Sequence, residues 1–195
     1  MGLDFGEYIN ADEIALTLPA SSTRDADAQQ ESNRRRALCL TEGRSFSFET
    51  VMSHESKIDE LRLAKAAGYE ITFIGVSLER PELNVARVAL RVSEGGHDVP
   101  TDRILARYER TMKLMPQAIL IADRALIFDN SDSVAGPLLA MTACPVDFGA
   151  LDVKLSAEMP AGSWVERFLV EGLLDLARTD DLRLRFFPPS YLGQF

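Results

Sequence analysis

Tyr69-Glu70-Ile71-Thr72-Phe73-Ile74-Gly75-Val76-Ser77 is followed by Leu78-Glu79-Arg80 and then by Pro81-Glu82-Leu83. The first nine residues are rich in β-branched and aromatic side chains and read as a strand. Upstream, His54 to Ala67 predicts a helix, with Ile58, Leu61 and Ala64 or Lys65 at helical spacing and Gly68 as its stop. Downstream, Pro81 suits the first turn of a helix that runs to about Ser93, where Gly95-Gly96 breaks it. Helix, strand and helix thus follow one another with short connections.

The same alternation extends in both directions. Glu7-Tyr8-Ile9 reads as a short strand, and Asn10 caps a helix that carries Glu13 three residues on. Asp25 to Thr41 reads as a polar helix closed by Gly43, and Ser45 to Thr50 alternates as a strand. Past the His97 to Pro100 loop, Thr101 starts a helix reaching about Leu114. Ala125 to Phe128 is a strand that ends in Asp129-Asn130-Ser131. This order predicts an α/β fold with an open, mainly parallel sheet flanked by helices. After about Cys144 the character changes, with Pro145, Gly149, Pro160 and Gly162 as punctuation. An amphipathic helix over Trp164 to Ala177, a strand over Arg183 to Phe187 and a tail from Pro188-Pro189 are expected there. The expected division is therefore 1–143 as the main domain and 144–195 as a C-terminal extension.

The chain has 195 residues, 46% hydrophobic and 26% charged, which is globular composition. A net charge of −9 argues against binding a nucleic acid polymer. Two cysteines, Cys39 and Cys144, exclude a disulfide scaffold and a cysteine-rich zinc site. Cys39, midway along a helix, reads as packing, and His97, alone in its loop, as a hinge or turn residue. The first twenty residues hold Asp4, Glu7, Asp12 and Glu13 and no basic residue, so no signal peptide is expected. The apolar run from Pro137 to Val146 is too short to span a membrane. A soluble cytoplasmic protein is the expectation.

In open parallel sheets ligands bind beyond the carboxyl ends of the strands. Asn10 with Asp12, Glu49 with Thr50, and Asp129 with Asn130 fall at such ends. Asp12, in the first turn after a strand, could take a proton from a substrate hydroxyl; acidic residues also simply favour helix N-termini. Glu49 could hold a hydroxyl or be a surface carboxylate, and Thr50 could touch a ligand or cap the next helix. Basic residues are lopsided, since Arg supplies all but four of the 21. From Pro81 to Met115, Arg87, Arg91, Arg103, Arg107, Arg110 and Lys113 oppose Glu82, Glu94, Asp98, Asp102 and Glu109. Arg87 and Arg91 share one helix face; Arg103, Arg107 and Arg110 share another. Two arginine-bearing helices joined by a glycine hinge suit a lid over phosphates, because the guanidinium fork grips two oxygens. Ordinary surface pairing with neighbouring carboxylates is the alternative.

Six segments carry a family resemblance. They are Tyr8-Ile9-Asn10-Ala11-Asp12-Glu13-Ile14-Ala15, Ser45-Phe46-Ser47-Phe48-Glu49-Thr50, Lys65-Ala66-Ala67-Gly68-Tyr69, Arg91 to Pro100, Ile104 to Arg110, and Phe128-Asp129-Asn130-Ser131. In that order, over roughly residues 5 to 143, they resemble the zeta-toxin-like kinases, also described as predicted ABC-type ATPases. The resemblance implies a P-loop kinase fold that moves the γ-phosphate of ATP, with Mg²⁺, onto a hydroxyl of a small molecule such as a UDP-amino sugar. It implies Asp12 as base, Glu49 and Thr50 as substrate contacts with Asn10 shaping that side, and Arg91, Arg107 and Arg110 as lid arginines on the nucleotide. It also implies an antitoxin protein as partner.

One departure is plain. The family's first strand leads into a Gly-x-x-x-x-Gly-Lys-Ser/Thr loop whose backbone N–H groups cradle the phosphates. No such motif occurs here; the lysines begin at Lys57 and none follows a glycine. The resemblance implies that a strand–loop–helix unit of about 30 residues is missing ahead of Tyr8. Inactive or impaired catalysis is then expected of this chain. The alternative is a non-catalytic remnant that binds a protein partner or itself.

Overall fold

The computed structural model describes residues 5–96, 98–146, 149–180 and 182–187. The expected hinge at His97 and the tail from Pro188 lie outside them. The chain divides into two compact units, Met1–Val51 and Met52–Phe195.

The first unit is a parallel strand pair with two helices. Strands β1 (Glu7–Ile9) and β2 (Phe46–Phe48) pair in register, Ile9 opposite Phe48. Helix α1 (Ala11–Thr17) starts where Asn10 Oδ1 accepts the Asp12 N–H at 2.8 Å, satisfying one orphan donor of its first turn. Helix α2 (Arg24–Glu42) ends at Gly43 in the left-handed region, φ 66°. Ile9, Ile14, Ala28 and Cys39 form the buried centre, with Phe46 and Phe48 against it. Cys39 is fully buried, as its packing role requires.

The second unit holds a five-stranded open sheet. Helix α3 (Ser56–Ala66) leads to β3 (Thr72–Ser77), then α4 (Pro81–Ser93), α5 (Thr101–Ile121), β4 (Arg124–Asp129), β5 (Leu138–Val146) and β6 (Ala150–Leu155). A π-helical segment, Val165–Val170, runs into α6 (Glu171–Asp180), and β7 (Arg183–Phe187) completes the sheet. The strand order is β3-β4-β5-β6-β7. β3–β4 and β6–β7 are parallel; β4–β5 and β5–β6 are antiparallel. An α/β architecture with an open sheet and flanking helices is therefore present, but this sheet is mixed, not mainly parallel. The cause is β5 and β6, joined across residues 147–149 too closely for a crossover, so they must run antiparallel.

β5 also crosses the 143/144 position where the sequence changes character, and residues beyond it supply β6, β7 and α6 to the same sheet. Pro145 fits inside β5 because β4 pairing stops at Ala143; Pro145 faces only Leu151 of β6. α5 runs through Pro116 to Ile121, a full turn and more past the expected end near Leu114. Pro116 is buried, and a Cβ at Gly172 of α6 would lie 2.6 Å from its ring.

One face of the sheet is the core. Ala125, Ile127, Met141, Ala143, Leu151 and Val153 meet Met112, Met115 and Ile119 of α5 and Trp164, Val165, Leu169 and Leu173 of the C-terminal helical region. On the other face Ile74 and Val76 of β3 remain 51% and 56% exposed. No helix of the described residues is long and apolar enough to cross a membrane.

Gly6 tests the first unit. At φ 65° a Cβ there would lie 2.0 Å from the Ser45 carbonyl oxygen. Gly43 has similar φ but open space around it. Gly6→Ala should cost about 2–5 kcal/mol in urea unfolding, strain plus collision. Gly43→Ala should cost about 1–2 kcal/mol from strain alone.

Candidate functional site

The pairing of β1 with β2 brings Asn10 and Glu49 together, because each is the residue just past the matched ends Ile9 and Phe48. Between them stands Tyr8. Its hydroxyl donates to Glu49 Oε1 at 2.8 Å and accepts from Asn10 Nδ2 at 2.8 Å. Asn10 thus uses both ends of its amide: Oδ1 starts α1 and Nδ2 holds Tyr8. Asp12 lies in the first turn of α1 with its side chain exposed. The result is a polar, accessible cluster of Tyr8, Asn10, Asp12, Glu49 and the exposed Thr50 at the carboxyl ends of two parallel strands.

Tyr8 was not foreseen as part of it. Its signal was the alternation of Glu7-Tyr8-Ile9: with Ile9 buried, Tyr8 points the other way and shares a side with Asn10. The Asn10 amide draws the phenol toward ionisation. The Glu49 carboxylate it donates to, partial burial and the Glu13 charge oppose this and leave its pKa raised.

The arginines lie in the second unit. Arg91 sits in the last turn of α4, which closes as the Gly96 N–H reaches the Arg91 carbonyl at 2.9 Å. Gly96 is needed there, since a Cβ would lie 2.6 Å from Arg91 Cγ. Arg107 is exposed on α5 and, like Arg103, makes no hydrogen bond or ion pair among the described residues. The surface pairings that would have explained these two are not formed among the described residues. Arg110 is exposed but has one N–H committed to the Ser53 carbonyl at 3.1 Å. Arg87 donates to the Asn130 carbonyl at 2.5 Å.

A second polar cluster occupies the carboxyl ends of β3 and β4. Asp129 Oδ1 accepts the Ser131 N–H at 2.8 Å, and Oδ2 accepts from the Ser131 hydroxyl at 3.1 Å and from the indole of Trp164. Glu79 accepts the Trp164 N–H at 3.1 Å and pairs with Arg167 at 2.6 Å. Tyr108 donates to the Leu78 carbonyl at 2.9 Å; burial, then the Glu79 charge, pushes its pKa up to about 12. Glu79, Trp164 and Arg167 lie too far apart in sequence for spacing to reveal them. Among the described residues no group of three or more His, Cys, Asp or Glu is arranged to hold a metal ion.

The Tyr8 triad can be tested by its titration. Glu49→Gln should lower the pH at which the Tyr8 phenol ionises, and Asn10→Ala should raise it. Absorbance of tyrosinate against pH, referenced to Tyr8→Phe, reads both shifts.

No protein-family model matches the chain, and no solved structure matches it. An uncharacterized protein of Haemophilus influenzae is similar to it: 28% identical over 102 residues, which cover 51% of this chain and 73% of that protein.

Proposed function

We propose that the chain is of the zeta-toxin-like kinase lineage, built for phosphoryl transfer from ATP to a hydroxyl of a small molecule. The observation that carries this reading is the Tyr8, Asn10, Asp12 and Glu49 cluster at the carboxyl ends of β1 and β2. Open α/β sheets take ligands at that end. Asp12 accepts the proton of the acceptor hydroxyl, whose oxygen then bonds to the γ-phosphorus as the bond to ADP breaks. Glu49 and Thr50 hold the acceptor, and Tyr8 and Asn10 fix Glu49. The resemblance assigns the second unit's Arg91 and Arg107 to nucleotide phosphates, with Arg110 in support; Arg107, exposed and unpaired among the described residues, is best suited to this.

Phosphoryl transfer depends on positioning and electrostatics more than on covalent chemistry, so a phosphate cradle is needed. The 195 residues contain no Gly-Lys-Ser/Thr loop. On this reading they turn over little or no ATP by themselves. Calorimetric titration with Mg–ATP and a γ-phosphate transfer assay check this, and robust turnover by the 195 residues would overturn it. In a chain extended ahead of β1 by a strand, a Gly-Lys-Ser/Thr loop and a helix, Asp12→Asn should lower kcat about 10²–10⁴-fold. Full activity in that variant removes Asp12 as the base.

A second reading, a non-catalytic module that binds a protein such as an antitoxin or associates with itself, is favoured by β3. This edge strand has no charge, no proline and two exposed apolar residues, which edge strands ordinarily avoid. Self-association predicts a dimer or larger species in light scattering at micromolar concentration, dispersed by Ile74→Lys. A strictly monomeric wild type counts against self-association.

A further inference from the structure

The helix that carries Arg87 and Arg91 has an unusual attachment. No residue of α4 is buried, so its own packing holds it weakly. Besides its half-buried packing, its start and its middle are fixed through one turn, Asp129-Asn130-Ser131. At the start, two residues before Pro81, the Glu79 N–H donates to Ser131 Oγ at 2.7 Å. At the middle, Arg87 donates to the Asn130 carbonyl at 2.5 Å, while the Asn130 N–H is held by the Ser77 carbonyl at 2.8 Å.

That turn is in turn held by the C-terminal segment. Asp129 shapes it by accepting both the N–H and the hydroxyl of Ser131, and the Trp164 indole donates to the same Asp129 carboxylate. The Trp164 N–H and Arg167 occupy the two oxygens of the Glu79 carboxylate. Trp164 is fully buried and cannot reorient without disturbing the core. A rigid anchor, a bonded turn and a weakly packed helix are thus linked in series.

We propose that Trp164 and Asp129 are positioning residues for α4, and that the Asp129–Ser131 turn couples the posture of this arginine-bearing helix to the C-terminal segment. What α4 grips rests on the kinase reading; the coupling does not. Anything that binds or displaces the Gly162–Arg167 region would therefore alter the presentation of Arg91.

Hydrogen exchange of backbone amides in the full chain tests this. Each lost hydrogen bond should speed exchange about 2- to 10-fold in the element that depended on it. Asp129→Asn should speed exchange both in α4 and in the π-helical segment, and should shift the emission of Trp164, the one tryptophan of the sequence. Ser131→Ala, in a half-exposed turn, should speed α4 with emission unchanged. Arg87→Ala should speed α4 alone. The proposal is overturned if Asp129→Asn and Ser131→Ala leave α4 at its wild-type rate, whatever happens around Trp164. Should Asp129→Asn not fold, Ser131→Ala decides the matter. Mg–ATP titration stays a separate readout, so loss of the kinase reading would leave these exchange rates as they are.

Discussion

The apolar face formed by Ala125, Ile127, Met141, Ala143, Leu151 and Val153 is the constraint on which the second unit depends. α5 covers part of it with Met112, Met115 and Ile119, and Trp164, Val165, Leu169 and Leu173 cover the rest. Full burial of one such side chain is worth about 1.5–3 kcal/mol, against about 0–1 kcal/mol for an exposed ion pair. The arginine pairs that decorate the surface, Arg178 with Asp175 or Arg62 with Asp59, are therefore minor in comparison. The residues after Cys144 are structural members of this unit. The close seat of Gly172 against Pro116 shows how tightly they are fitted to α5.

The local elements were largely legible in the sequence. Asn10, Gly43, Pro81 and Gly95 each mark a helix end through backbone chemistry that acts over a few residues, and each stands where it was expected. Long-range consequences were not legible. Pro145 reads as punctuation because nothing local shows that β4 pairing stops at Ala143 and leaves Pro145 facing Leu151 of β6. The helix from Thr101 reads as ending near Leu114, because the seat of Pro116 inside α5 depends on a glycine 56 residues on, which lets α6 come close to its ring. The mixed sheet follows from the same blind spot, since two unrecognised strands carry both antiparallel pairings.

The candidate site divides the same way. Asp12, Asn10 and Glu49 were found because strand ends and helix starts are local signals, and β1–β2 register then places Asn10 and Glu49 side by side. Tyr8 joins them through two hydrogen bonds, one spanning 41 residues of sequence. Its phenol both accepts from the Asn10 amide and donates to the Glu49 carboxylate, so one hydroxyl links the two strand ends. Among the arginines, position on a helix face did not separate roles. Arg87 and Arg110 have backbone carbonyls as partners, whereas Arg103 and Arg107 are uncommitted among the described residues.

Trp164 joins the two levels of organisation. Its ring belongs to the sheet core, and its indole N–H and backbone N–H reach the carboxylates of Asp129 and Glu79 at the ends of β4 and β3. A large amphipathic side chain is suited to this, because its apolar body fixes the position from which its polar edge acts. Phenylalanine could fill much of the same volume but would remove the indole donor and leave Asp129 Oδ2 with the Ser131 hydroxyl. The requirement for tryptophan at 164 thus comes from the strand ends, while the requirement for an aromatic there comes from the core. Carboxylates set at the ends of parallel strands need fixed donors to keep one orientation. In this chain Trp164, far along the sequence from both carboxylates, provides them.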